Sequence, residues 1–103
     1  MNAVFEMPTR VPHLAKKMAK PINFYYAVPE AKSVHLMGDF NNWNPKSLPM
    51  QRRADGWWSI QVPLSAGDHQ YLFLVDGIPT LDPHAVGTAH GNRYASVSII
   101  AVS

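Results

Sequence analysis

Beyond residue 21, apolar and polar positions mostly alternate with a period of two, and that period predicts strands. Ile22 to Val28 (INFYYAV) is rich in aromatic and β-branched residues and stops at Pro29. In Ser33 to Gly38, Val34 and Leu36 fall on one side and His35 and Met37 on the other. In Trp57 to Val62, the residues Trp58, Ile60 and Val62 point one way, and Trp57, Ser59 and Gln61 the other. His69 to Val75 places Tyr71, Phe73 and Val75 on one face, and Val97 to Val102 closes the chain.

The joints between these runs carry turn chemistry. Asp55-Gly56, Ala66-Gly67-Asp68 and Asp76-Gly77 supply positions that tolerate positive φ. Strands of this length, each with one apolar face and no helix pattern between them, predict an all-β sandwich in which two sheets close over each other. No internal repeat interrupts the pattern.

Residues 1–21 read differently. Pro8 and Pro12 precede the run HLAKKMAK, which suits one or two turns of basic amphipathic helix or a mobile tail, and Pro21 disfavours helix at Lys20. The expected organisation is therefore a basic leader over 1–21 and a sandwich domain over 22–103. The charge follows this division. The net charge is +2, yet Arg10, Lys16, Lys17 and Lys20 lie in the leader against Glu6. The body carries Lys32, Lys46, Arg52, Arg53 and Arg93 against Glu30, Asp39, Asp55, Asp68, Asp76 and Asp82. A near-neutral body has no basic stripe for phosphates, so no nucleic-acid partner is expected.

At 103 residues the chain suits one domain and is too short for a barrel enzyme. With no cysteine there is no disulfide and no thiolate ligand, which favours a cytoplasmic setting. No apolar run approaches the roughly 18 residues of a membrane span, and the N-terminus lacks a signal-peptide pattern.

The histidines His13, His35, His69, His84 and His90 form no close ligand pair. Asp82 and His84 flank Pro83 in what reads as a turn rather than a metal site, because a site needs three or four converging ligands. Glycoside hydrolysis needs two carboxyl groups across a cleft. With Asp55, Asp68 and Asp76 assigned to turns, only Asp39 and Asp82 remain. No catalytic residue, metal or cofactor is expected. Binding chemistry is richer. Sugar rings stack on exposed aromatics, and amides bond their hydroxyls. Trp58 falls on the core face. Trp57 falls on the opposite face, and Trp43 follows Asn41 and Asn42 in a polar loop. Two readings of Trp43 stay open: a sugar platform, or a cover folded over a sheet edge.

The stretch Val34 to Trp43 (VHLMGDFNNW) resembles the G-D-F-N-x-W signature of the family-48 carbohydrate-binding modules. Asp55-Gly56-Trp57-Trp58 to Val62-Pro63-Leu64, the hairpin Gly67 to Gly77 (GDHQYLFLVDG), and Asp82-Pro83 follow in the family's order. The resemblance runs from about residue 22 to the C-terminus. It implies an immunoglobulin-like early set sandwich of seven to eight strands, of the kind found in isoamylases, glycogen branching enzymes and the AMP-activated kinase β subunit. In the kinase-type domains five positions hold sugar. Trp43 matches the first. The Lys position falls on Leu72, the second Trp position on Pro79, and the late-loop Leu and Asn positions fall near His90 and Tyr94. Tyr94, Trp57, Asn92 and Arg93 stand as substitute contacts.

The resemblance implies a free-standing, non-catalytic module for α-glucans such as glycogen or starch. The expected binding residues are Trp43, Asn41, Asn42, Tyr94 and Trp57. The alternative is a protein-interaction or regulatory module, or a homo-oligomer, that keeps the fold without the sugar.

Overall fold

The alternating runs become strands, and shorter ones join them. The computed structural model describes residues 19–91 and 94–103. Among them are β1 (Lys20–Ala27), β2 (Val34–Gly38), β3 (Gln51–Arg52), β4 (Trp57–Leu64), β5 (Gly67–Val75), β6 (Ile78–Thr80), β7 (Gly87–Ala89) and β8 (Val97–Val102). One sheet has the order β1-β4-β3. The other runs β2-β5-β8-β7, with β6 also on β5. All pairings are antiparallel, and the whole is an immunoglobulin-like β-sandwich.

Two boundaries differ from the sequence pattern. Lys20 and Pro21 already belong to β1, where Pro21 lies opposite Pro63. Two prolines are tolerated there because the ladder ends at this point and few bonds are lost. The expected helix over HLAKKMAK falls, up to residue 18, outside the described residues. Asp68 lies in β5 opposite Ala101 rather than in the turn. The turn falls earlier, with Gly67 at φ 119° as β5 begins.

The other turns follow their residues. Val75 and Ile78 pair directly, so Asp76-Gly77 makes a two-residue hairpin loop, and both residues have positive φ, at 49° and 85°. That twist matches the flanking strands. The Asp76 carboxylate also accepts the Lys32 and Ser33 backbone N–H groups, each at 2.8 Å. One side chain thereby pins the β1–β2 connection to the β5–β6 hairpin.

The core lies between the sheets. Phe24 meets Tyr71 edge-on at 5.0 Å, and Tyr26 stacks on Phe73 at 4.9 Å. Trp58, Val62 and Leu64 are buried from β4, as are Val34 and Leu36 from β2. Trp58 donates its indole N–H to the Val28 carbonyl at 3.2 Å, so its one polar group is satisfied. Buried Tyr71 donates to Asp82 at 2.7 Å. Burial, with the adjacent carboxylate, pushes its hydroxyl well above the ordinary tyrosine range. Ser98, fully buried on β8, accepts the Asp82 N–H at 2.9 Å.

Phe73 is fully buried. Phe73→Ala is expected to lower unfolding free energy by about 3–5 kcal/mol. Asp76→Ala should cost about 1–2 kcal/mol through its two lost acceptor roles. Urea unfolding followed by tryptophan fluorescence measures both.

Candidate functional site

After β2 the chain makes a single 3-10 turn over Asp39–Asn41 and then enters the left-handed region. Asn42 and Trp43 both have φ of 57°. Asparagine tolerates this conformation; for a bulky residue it is an outlier held by its surroundings. Several bonds hold it here. The Trp43 N–H donates to the Gly38 carbonyl at 2.9 Å. The Asn41 side-chain Oδ1 accepts the Gly38 N–H at 2.9 Å, while its Nδ2 donates to the Asn44 carbonyl and to Ser47 Oγ at 3.1 and 2.9 Å. Asp39 accepts the Gln70 N–H at 2.9 Å and faces the His69 ring at 3.2 Å, which ties the turn to β5. Gly38 is required by close approach: a Cβ there would meet the Phe40 ring at 2.5 Å and the Gln70 carbonyl at 2.6 Å.

The loop delivers Trp43 to the outer face of the larger sheet. Met37, Leu72 and Val97 form a second buried cluster there, with Trp43, Leu74, Ala89 and Tyr94 packed against it. Trp43 and Tyr94 are half-buried. Their rings lie 5.6 Å apart with 47° between planes, and the Tyr94 hydroxyl donates to Met37 Sδ at 3.7 Å. The result is an angled aromatic pair on an apolar floor. Trp43 therefore covers a sheet face, not an edge, and keeps part of its surface open.

The expected site residues separate into three groups. Trp43 and Tyr94 come together, with exposed Asn42 adjacent in sequence. Asn41 is committed to the turn by three hydrogen bonds. Trp57 is exposed but sits on β4, on the outer face of the other sheet. Of the substituted positions, Leu72 is 2% exposed at the base of the aromatic pair, and exposed Pro79 pairs with Leu74 on the same face. Asn92 and Arg93 lie outside the described residues. Asp82 accepts the His84 N–H at 2.9 Å, which is the turn that the spacing predicted. Among the described residues no three histidine or acidic side chains gather to hold a metal, and no helix is long and apolar enough to cross a membrane.

Comparison with known proteins agrees with the signature. The model of the carbohydrate-binding module 48 (isoamylase N-terminal domain) family matches residues 12–85. The chain belongs to that family. It is 36% identical over 96 residues to a 1,4-alpha-glucan branching enzyme of Synechococcus sp. (strain RCC307), covering 87% of this chain and 12% of that protein. It is 44% identical over 57 residues to the branching enzyme of Rhodopseudomonas palustris (strain BisB5), covering 54% of this chain and 8% of that protein. The enzyme of Deinococcus radiodurans is 34% identical over 84 residues, 77% of this chain and 12% of its own. The chain thus spans about a tenth of the length of these relatives.

In this module 48 chain, each signature residue has a structural role. Gly38 admits the Phe40 ring, Asp39 fixes the turn to β5, and Asn41 closes the turn that presents Trp43. The match to the family ends at residue 85, so Tyr94 comes from outside the matched stretch. Sequence reasoning also missed the apolar floor. Met37 and Leu72 look solvent-facing by alternation, and only their spacing on one face hints at a cover.

Asn41→Ala is expected to destabilise the chain by about 1–3 kcal/mol, because the part-buried Gly38 N–H loses its acceptor and the Asn44 carbonyl and Ser47 hydroxyl lose their donor. Asn42→Gly, at a positive-φ position, is expected to be neutral or slightly stabilising. Thermal or urea unfolding of the two variants checks the contrast.

Proposed function

We propose that this chain binds α-glucans, the polymers of the glycogen and starch class, through the Trp43–Tyr94 pair. The observation that carries this reading is the pair itself: two half-buried rings, angled across 5.6 Å, on a neutral apolar face in a member of a carbohydrate-binding family. The apolar face of a glucose ring stacks on indole or phenol. Exposed Asn42 adds an amide within the same loop for hydroxyl contacts. The module is non-catalytic in this reading and works in the cytoplasm. The basic segment ahead of β1, which begins at Lys20, acts as a leader to the sandwich.

The binding is weak for a physical reason. Leu72 is buried under the rings, so it offers no charge to a hydroxyl, and Pro79 offers no broad stacking surface. On this face recognition then rests on the aromatic pair. Native affinity gels with glycogen, and titration with maltoheptaose, test the reading. Wild-type retardation is expected, and Trp43→Ala should weaken it about tenfold or more, equivalent to about 1.4 kcal/mol or more. A wild-type chain that runs unretarded, or a Trp43→Ala variant as retarded as wild type, sinks the proposal.

A second reading has its own observation. Ile78 is 66% exposed and Val86 81% exposed. A contiguous apolar patch built on such side chains is what a protein-docking surface or a homo-oligomer would use. A defined complex in light scattering, together with a silent glucan assay, favours that reading.

A further inference from the structure

The smaller sheet has its own outer face, and its chemistry differs from the rest of the surface. The register places Asn23 opposite Gln61, Tyr25 opposite Ser59, and Gln51 opposite Ser59 on the other side. Trp57 stands on the same face, two residues before Ser59 along β4. Trp58, Ile60 and Val62 alternate with these residues and pack toward the core, so the outer set is free of that duty. Tyr25 is 46% exposed and Trp57 37% exposed. Both line a shallow groove of about 390 Å³ with Arg53 and Asp55. A neighbouring groove of about 390 Å³ continues past Asn23, Gln51, Ser59 and Gln61.

We infer that this face is a second α-glucan contact surface, separate from the Trp43–Tyr94 pair. The occupant follows from charge and composition. Arg53 and Asp55 lie 3.7 Å apart and offset each other, and the remaining polar groups are neutral amides and a hydroxyl. A nucleic acid needs unpaired cations along its backbone track, and this face provides none among the described residues. A stable protein interface has an apolar centre with a polar rim. Here amides and a hydroxyl run along the ladder, with Tyr25 among them and Trp57 at one end. A neutral ring with an apolar face and hydroxyl edges fits both parts. The Gln61 amide donates to the Asn23 side-chain oxygen at 3.1 Å, and among the described residues no other side-chain hydrogen bond engages either group.

The inference rests on the α-glucan reading for its ligand but not on Trp43 for its location. Two faces that engage one branched polymer raise its apparent affinity by avidity, whereas a short oligosaccharide occupies each alone. Two such faces would let a module with a thin set of contacts on each hold a polymer more tightly than a short oligosaccharide.

The test uses the full chain and follows the three indole N–H resonances during titration with maltoheptaose. Trp43 and Trp57 are expected to shift and buried Trp58 to stay. Trp57→Ala is expected to weaken glycogen retention about tenfold or more while the Trp43 resonance still shifts with maltoheptaose. A Trp57 resonance that stays fixed while Trp43 saturates overturns the second surface and leaves the first intact. A Trp57 shift with Trp43 fixed supports the second surface and overturns the first. If neither moves, both fall.

Discussion

From Tyr71 onward strand β5 is apolar on both faces, and much that is distinctive about this sandwich follows from having to bury both. Tyr71 and Phe73 point into the space between the sheets and meet Phe24 and Tyr26. Leu72, between them, points the other way. A sheet closed on one side only would leave Leu72 and its neighbour Met37 in water. The chain solves this with a loop from β2 and a segment before β8, which bring Trp43 and Tyr94 over the outer face. The aromatic pair is in the first place a lid on a small second core. Because that core is small, the lid remains half open.

The cost of this arrangement appears in the backbone. Two successive residues sit at positive φ, and one is a tryptophan. The loop stays in place because Asn41 and the Trp43 N–H return to Gly38, and Asp39 reaches β5. The G-D-F-N-x-W signature thus has a structural meaning residue by residue: three of its positions build a turn, and the tryptophan is what the turn presents. A motif associated with sugar binding owes much of its composition to the geometry of that presentation.

Much of this was legible in the sequence. The five strand-like runs all form strands, and Trp58, Val62, Leu36 and Phe73 are buried as their periodicity requires. Asp76-Gly77 turns as its residues dictate. Strands β3, β6 and β7 were not legible, because two or three residues cannot establish a period. The burial of Met37 and Leu72 was hidden for another reason. Alternation separates two faces but says nothing of what a distant loop lays over one of them. The same limit sets Trp57 beside Trp43 among the expected contacts, although one stands on β4 and the other lies over the larger sheet. Asn41 and Asn42 look alike in the sequence, and only the hydrogen bonds of Asn41 set it apart as a turn residue. For the two indoles, what matters is which sheet carries each, and only the strand order supplies that.

The most direct measurement is the effect of Leu72→Lys on stability and glycogen retention together. The position resembles one where related modules carry lysine, so a view of the site as a set of contacts expects a gain in binding. In the folded chain, however, Leu72 is the buried floor of the aromatic pair, 2% exposed. A charge there loses its water without a partner and lifts the lid. The expected result is a loss of about 2 kcal/mol or more in urea unfolding, with retention by glycogen falling as well. A variant that unfolds at the wild-type urea concentration and binds glycogen more tightly would contradict the role of Leu72 as that floor.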